Sequence, residues 1–232
     1  MEKVVAALWS PEGQDRAAFN AALLDRLPVA LRSAGASSIR LNVRDDAVEA
    51  GAGHVQRWQE PHAVAQFWLP AANPRFFSPV AEAVGAIAPR FAAWLVSEAT
   101  IIANTAHPPR RGERTWGWSQ ATFLAFRPDL EPEAADRHWR THHTTVAIET
   151  QANFEYVQNR VVRALTPDAP AYDAFIEECF PAEALTEPQA FFDAVGDEAK
   201  FQANLASMMD SCGGFIDFAR IDVIPTSQHD FG

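Results

Sequence analysis

The chain is poor in cysteine and tyrosine, with two of each among its 232 residues. The cysteines, Cys179 and Cys212, are too few for a disulfide framework and lack the spacing of a metal site. A small protein stabilised by disulfides is therefore excluded. A reducing, cytoplasmic location is the default expectation.

Positive charge is also scarce. Nineteen Lys and Arg residues stand against 30 Asp and Glu residues, which gives a formal net charge of −11. Nucleic acids and anionic membrane surfaces are bound through clustered basic side chains, so neither is expected as a partner.

No apolar run approaches the roughly 20 residues that span a bilayer. The N-terminal sequence MEKVVAALWSPEG is too short in its apolar part to predict a signal peptide.

Aromatic and aliphatic side chains are abundant. Hydrophobic residues make up 48% of the chain, with 16 Phe and seven Trp. Such side chains fill protein cores, and they also line apolar pockets. A chain of this length forms one large domain or two small domains of about 100 residues each.

Hydrophobic periodicity divides the first half into six elements in the order β-α-β-β-α-β. Strands are predicted over Val4–Trp9, Ala36–Arg44, Ala63–Leu69 and Leu95–Ala103, and helices over Gln14–Ser33 and Pro74–Trp94. Pro28 lies inside the first helix and is expected to interrupt or kink it.

The second half shows the same order of elements. Strands are predicted over Thr115–Phe126, Phe154–Leu165, Tyr172–Phe180 and Phe215–Ile224, and helices over Glu133–Thr150 and Glu187–Asp210. Pro132 suits the first turn of its helix, and Gly213 and Gly214 mark the end of the last one.

We therefore predict an α+β protein with two ferredoxin-like units in tandem, residues 1–106 and 115–226. A linker rich in Pro, Gly and Arg joins them at 107–114. A four-stranded sheet with both helices on one face leaves its other face bare. The two sheets are expected to pack together as a dimeric α+β barrel, closed either within one chain or between two chains.

Short motifs in the second half carry a family resemblance. Trp139 and His143 stand in a W-x-x-x-H arrangement, followed by FEYVQNRVV from Phe154 to Val162 and YDAFIEECF from Tyr172 to Phe180. With a DEAKF segment before the last strand, residues 115–226 resemble the EthD family, a branch of the dimeric α+β barrel superfamily. The first half shares the element order and lacks these residues.

The resemblance implies a barrel that binds a small apolar or aromatic molecule in its interior, and no cofactor is predicted. Related barrels include cofactor-free monooxygenases, polyketide cyclases, muconolactone isomerases, dehydratases and haem peroxidases. The chemistry therefore stays open. Haem binding is the weaker alternative and requires an axial histidine such as His143.

The segment EAADRHWRTHHTTV places three histidines on one predicted helix. His143 lies on the apolar stripe with Trp139 and is expected to face the sheet. One interpretation is that His143 acts as a general acid/base or as a hydrogen-bond donor to a ligand. The other is that it is a core histidine, hydrogen-bonded to a backbone carbonyl or a strand carboxylate. Trp139 is expected to be a core residue or, alternatively, a pocket wall.

Two further histidines, His138 and His142, have the i, i+4 spacing that binds metals. A third ligand would have to come from Glu177, Glu178 or His229, and nothing in the sequence brings it near. A solvated helix face is the favoured interpretation, and no metal site is predicted.

Two predicted strands supply polar groups. Tyr156, Gln158 and Arg160 share one face of their strand, and we place them toward the cavity because the valines on the other face suit the helices. Asp173 and Glu177 share a face of the next strand. Glu177, which matches the family glutamate, is expected either to have a raised pKa and exchange a proton, or to pair with Arg160.

Two functions remain open at this stage. One is a cofactor-free isomerase, cyclase, dehydratase or monooxygenase, and the other is a non-catalytic small-molecule carrier or stress-associated protein. The candidate catalytic residues are His143, Tyr156 and Glu177, and the candidate ligand-binding residues are Trp139, Gln158, Arg160 and Asp173.

A homodimer is expected, because Phe191, Phe192 and Phe201 enrich outer helix faces in apolar surface.

Overall fold

The computed structural model describes residues 1–51 and 53–232. Eight antiparallel strands close into one barrel, and the helices pack around it. The strands are β1 Glu2–Trp9, β2 Ser37–Val43, β3 Ala63–Leu69, β4 Arg90–Ile102, β5 Trp118–Phe126, β6 Glu155–Ala164, β7 Ala174–Phe180 and β8 Ile216–Asp230.

Six α-helices accompany the strands: α1 Arg16–Ser33, α2 Pro74–Gly85, α3 Pro132–Arg137, α4 Thr144–Thr150, α5 Pro188–Phe191 and α6 Glu198–Gly213. A π-helical segment, His138–His143, joins α3 to α4, and 3₁₀ turns lie at Asp46–His54 and Ala182–Leu185. Within the described part of the chain, no helix combines the length and apolar character needed to cross a membrane.

The strand order around the barrel is β1-β3-β2-β8-β5-β7-β6-β4. The strands of each half are contiguous, in the order β4-β1-β3-β2 in the first half and β8-β5-β7-β6 in the second. The halves meet twice, where β2 pairs with β8 and where β4 pairs with β6. The barrel therefore closes within a single chain.

The helices form because their caps and apolar spacing agree. The Asp15 carboxylate accepts a hydrogen bond from the Ala18 amide and caps α1. Phe19, Leu23 and Leu27 recur at four-residue steps on its buried face. Helix α1 continues through Pro28, so the predicted interruption is absent.

Two predicted boundaries were wrong. Helix α2 ends at Gly85, and β4 begins at Arg90. The consecutive residues Ala92, Ala93 and Trp94 are buried on both faces, so they show no alternation that would mark this segment as a strand. Strand β8 continues to Asp230, beyond the predicted end at Ile224, because it changes its pairing partner from β5 to β2 after Thr226.

The phenylalanines predicted to lie on an outer face pack against one another instead. Phe191 is buried, with its ring centroid 5.0 Å from that of Phe192. Phe192 in turn lies 5.8 Å from Phe201. These side chains therefore do not form the exposed apolar patch on which the homodimer prediction rested.

Alternation along the strands separates two apolar layers. Outward-facing side chains, such as Phe67 in the first half and Leu124 and Ile176 in the second, pack against the helices. Inward-facing rings, led by Trp94 and Phe123, fill one end of the barrel. Apolar and aromatic side chains therefore fill this end of the barrel. Polar side chains occupy the opposite end.

A buried carboxylate closes the aromatic end. Asp222 accepts hydrogen bonds from the backbone amides of Trp58, Gln59 and Glu60 and from the Tyr172 hydroxyl at 2.5 Å. It is fully buried, so these donors replace the water that it loses on folding. Burial, followed by the bond to Asp222, raises the pKa of Tyr172 above its usual range.

We expect Asp222→Ala to lower the free energy of unfolding by about 3 kcal/mol, because it leaves three amides and a hydroxyl without their acceptor. Urea denaturation measures the change. Asp168→Ala, an exposed substitution at the same end of the barrel, is the control and should stay within about 0.5 kcal/mol of the parent. Equal stabilities of the two variants would show that Asp222 does not hold this loop.

Candidate functional site at the polar end of the barrel

A cavity of about 620 Å³ opens at the end of the barrel opposite the aromatic rings. Inward-facing side chains from both halves form its walls, including Lys3, Arg40, Gln66, Glu98, Glu155, Val157 and Gln228. Trp68 and Thr100 lie nearer its mouth. Parts of the 103–111 connection and the segment from Asp230 to Gly232 complete the lining.

Glu177 lies beneath this cavity and is completely buried. Its Oε1 atom accepts hydrogen bonds from Asn42 Nδ2 at 2.6 Å and from Gln228 Nε2 at 2.9 Å. Its Oε2 atom accepts from Arg40 Nη1 and from Gln66 Nε2, both at 2.9 Å. Strands β2, β3 and β8 thus each direct a donor at one carboxylate on β7.

These donors keep Glu177 ionised. Burial alone would raise its pKa, but the Arg40 guanidinium and the Asn42, Gln228 and Gln66 amides together hold the pKa well below the usual range. The prediction that Glu177 has a raised pKa and trades a proton was wrong. Its alternative, a pair with Arg160, was wrong as well, because the cationic partner is Arg40.

Arg40 links three carboxylates at the floor and rim of the cavity. Its Nη1 atom contacts Glu155 at 2.7 Å as well as Glu177, and its Nη2 atom contacts Asp230 at 3.2 Å. These partners raise the pKa of Arg40 well above its usual range, against the opposing effect of its burial. Arg40 is therefore a fixed cation at this site.

A buried thiol adjoins the same array. The Cys179 thiol lies 3.5 Å from Glu155 Oε2, and Gln228 Nε2 lies 3.3 Å from the sulfur. Burial, together with Glu155 and Glu177, raises the pKa of this thiol well above its usual value. A thiolate nucleophile is therefore not expected here.

Lys3 and Glu98 form a second ion pair on the wall of the cavity. Lys3 Nζ lies 2.6 Å from Glu98 Oε2, and Lys3 is 5% exposed. Burial lowers the pKa of Lys3, while Glu98 acts in the opposite direction. The inner walls of the cavity thus carry Lys3 and Arg40 as cations, each already in contact with carboxylates.

Of the predicted site residues, Glu177 alone belongs to this array. Tyr156, Gln158 and Arg160 were predicted to face the cavity, and that orientation was wrong. Gln158 donates to the Thr144 hydroxyl of α4 at 2.8 Å and to the Tyr156 hydroxyl at 2.7 Å. Arg160 contacts Asp136 of α3 at 3.2 Å. All three lie on the helix side of β6, and the inward positions carry Val157, Asn159 and Val161.

The remaining candidate ligand-binding residues also lie away from the cavity. Asp173 accepts a hydrogen bond from the Phe126 amide at 2.8 Å and contacts Arg160 at 3.4 Å. Trp139 is fully buried between helix and sheet, with its ring 6.1 Å from that of Phe126. The expectation that Trp139 is a core residue is confirmed.

His143 lies on the π-helical segment, buried between helix and sheet as predicted. Its Nδ1 atom is 3.0 Å from the Ser211 hydroxyl of α6, and its ring packs 4.8 Å from Phe215. Burial, aided by the neighbouring His138 and His142, lowers the pKa of His143 to about 4. The ring is neutral at physiological pH, and the sheet separates it from the barrel interior and from Glu177.

His138 and His142 are neighbours without forming a metal site. Their ring centroids are 4.9 Å apart, and His138 Nε2 lies 3.0 Å from the Ser211 carbonyl. Among residues 1–51 and 53–232, no group of three or more His, Cys, Asp or Glu side chains is arranged to hold a metal ion.

Sequence reasoning missed Arg40, Asn42, Gln66 and Gln228. The signal was present, because Ser38, Arg40 and Asn42 alternate with apolar residues along β2. Such a polar face is usually solvated. Here, closure of the barrel turns it inward.

A second buried carboxyl, Glu178, lies on the opposite face of β7. It accepts hydrogen bonds from Asn153 Nδ2 at 2.9 Å and Gln120 Nε2 at 3.4 Å. Burial outweighs these bonds and raises the pKa of Glu178 to about 7. Since the folded-state pKa exceeds the unfolded one, this group stabilises the fold below about pH 4.5, and the contribution is lost as pH rises through 7.

We expect Glu178→Gln to gain stability over the parent chain as pH rises from 5 to 8, by no more than about 3 kcal/mol, because the amide cannot ionise. Urea denaturation at both pH values gives the difference, and groups shared by the two proteins cancel. The exposed Glu183→Gln is the control and should show no such pH dependence. A difference that is constant with pH would mean that Glu178 titrates as an ordinary carboxyl.

We expect Arg40→Met to destabilise the fold by about 3–5 kcal/mol, because it leaves Glu177 and Glu155 buried without a cation. Adding Glu177→Gln to that variant should restore part of the loss. A double-mutant cycle measured by urea denaturation gives the coupling between the two side chains. If the stability changes of the two substitutions simply add, a direct interaction between Arg40 and Glu177 is contradicted.

The fold and the site together define an antiparallel α+β barrel with a charged cavity at one end. Residues 127–219 match the EthD domain model, so the resemblance predicted for the second half is confirmed over that segment. A search of curated proteins found no match.

One solved structure shares the architecture over the whole chain, and a second one is similar to a lower degree. The structure of an anthrone oxidase-like protein is 12% identical, covers 100% of this chain and 94% of its own, and superposes with a TM-score of 0.54. A provisionally assigned monooxygenase from Lactobacillus acidophilus NCFM is 11% identical, with coverages of 100% and 96% and a TM-score of 0.48. At these identities, the first likeness shows the fold.

Proposed function

We propose that this EthD-like barrel binds a small organic molecule in the cavity at its polar end. The observation that carries the proposal is the cavity itself, whose volume of about 620 Å³ suits a small molecule. Its walls combine an apolar side chain, Val157, an aromatic one, Trp68, and fixed charges at Arg40 and Glu155. Such a combination supplies contact area together with a few orienting polar groups.

The duplication predicted from the element order fits this site. We infer that residues 1–106 and 115–226 are two ferredoxin-like units, because each half has the strand order 4-1-3-2 when its own strands are numbered from one. Lys3, Arg40 and Gln66 come from the first unit, and Glu155 and Gln228 come from the second. The site therefore requires both units, and one chain supplies them.

A binding role is supported better than catalysis by the predicted trio. His143 and Tyr156 lie on the helix side of the sheet, and Glu177 lies on the barrel side, so they do not meet at one substrate. Several donors keep Glu177 ionised, so we expect it to hold the Arg40 side chain in position and not to transfer a proton. The apolar or aromatic ligand expected from the family resemblance would place its carbon skeleton against Trp68 and Val157.

Native mass spectrometry of the protein purified from cells tests the proposal. We expect an organic mass that denaturation releases, and we expect Thr100→Trp, which fills the mouth of the cavity, to abolish it. Val162→Trp adds the same side chain at a position that is 58% exposed and outside the cavity lining, so it should keep the ligand. Retention of the mass by Thr100→Trp would overturn the proposed site.

The same spectra measure assembly. The homodimer stays a prediction, now without the apolar helix faces that motivated it. A monomer mass with bound ligand would show that the barrel of one chain is sufficient for binding.

A further inference from the structure

The charges around the cavity do not balance. Three cations, Lys3, Arg40 and Arg111, stand against four carboxylates, on Glu98, Glu155, Glu177 and Asp230, so one formal negative charge is in excess. Buried charges are costly unless they are paired. Arg111 and Asp230 both lie at the rim, where solvent screens them and their charges offset each other, so the excess belongs to the inner carboxylates.

Arg40 is shared among too many partners to satisfy all of them. The same Nη1 atom serves Glu155 at 2.7 Å and Glu177 at 2.9 Å. The second oxygen of Glu155 has only longer contacts, with Gln228 Nε2 at 3.3 Å and the Cys179 thiol at 3.5 Å. Glu155 therefore retains the capacity to accept a further strong hydrogen bond on the cavity side.

An unpartnered acceptor lies on the same side. Gln66 is 1% exposed and lines the cavity, and its Oε1 atom has no hydrogen-bond partner among residues 1–51 and 53–232. A buried carbonyl oxygen without a partner is costly, so this position favours a ligand that donates a hydrogen bond.

The wall of the cavity suits the same chemistry. Trp68 is half-buried and lines the cavity beside Lys3, its partner across the β1–β3 pairing. Aromatic faces attract ammonium and guanidinium groups. The space is large enough for an organic molecule, and the described residues lack a metal-binding cluster, so an organic cation fits better than a bare metal ion.

We propose that the ligand of the barrel-end cavity is a small organic amine, bound as its ammonium ion. The ammonium group donates to Glu155 and to Gln66 Oε1, and its carbon skeleton lies against Val157 and Trp68. The excess of carboxylates over cations supplies the electrostatic attraction. This inference rests on the proposed function, because it assigns a chemical class to the molecule bound at that site.

Isothermal titration calorimetry with three probes that share one carbon skeleton tests which ligand charge the cavity prefers. The probes are 2-phenylethylamine, 2-phenylethanol and 3-phenylpropionate, which are cationic, neutral and anionic at neutral pH. We expect the amine to bind at least about tenfold more tightly than the alcohol, and the carboxylate to bind most weakly. Magnesium chloride serves as a fourth probe, to separate an inorganic from an organic cation.

Variants locate the binding. Glu155→Gln should weaken the amine about tenfold and leave the alcohol within about twofold, since it removes the charge and keeps the shape. Glu113→Gln, which removes an acidic charge from the neighbouring connection outside the cavity lining, should match the parent. Asp230→Asn, at the rim, replaces Glu155→Gln if the latter does not fold, and it should also weaken the amine selectively.

Three results would overturn the inference: equal or tighter binding of the alcohol or carboxylate, binding of magnesium without the amine, or no binding of the amine. The proposed function fails separately, when Thr100→Trp does not remove the ligand that co-purifies with the chain. A co-purified neutral or anionic molecule that Thr100→Trp removes would therefore refute the amine and leave the proposed function standing.

Discussion

The buried carboxylate of Glu177 constrains the whole barrel. A charge without solvent must be matched by donors, and here they come from Arg40 and Asn42 on β2, Gln66 on β3 and Gln228 on β8. A slip of one residue in any of these strands would turn its donor to the opposite face of the sheet. The array thus specifies the strand register as well as the chemistry of the cavity.

That specification matters most at the shorter seam between the halves. Strands β2 and β8 pair over only four residues, Arg40–Val43 with Ser227–Asp230, and β4 and β6 pair over eight. Side-chain bonds reinforce the short seam, since Arg40 contacts Asp230 across it and Gln228 reaches Glu177. The residues that close the barrel are therefore the same residues that line its cavity.

The order of the elements could be predicted from the sequence, because hydrophobic periodicity and caps are local signals. The sequence does not predict which face of each strand points into the barrel. Alternation along β6 separates Tyr156 and Gln158 from Val157 and Asn159, but both faces are buried, so polarity does not distinguish the inside of the barrel from the helix side. Assigning valines to the helices was reasonable for an open sheet with a solvated face, and it fails when an interior contains a charged array.

Adjacent residues on β7 show how strongly the two sides differ. Glu177 faces donors contributed by the other half and stays ionised, while burial raises the pKa of Glu178 on the helix side to about 7. Glu178 therefore titrates near neutrality on the helix side, whereas burial lowers the pKa of His143, packed against Ser211 and Phe215, to about 4. The cavity, by contrast, contains charges that do not depend on pH near neutrality at Arg40 and Glu177. A constant electrostatic field of this kind supports the proposed binding of a small molecule better than it supports proton transfer in the barrel interior.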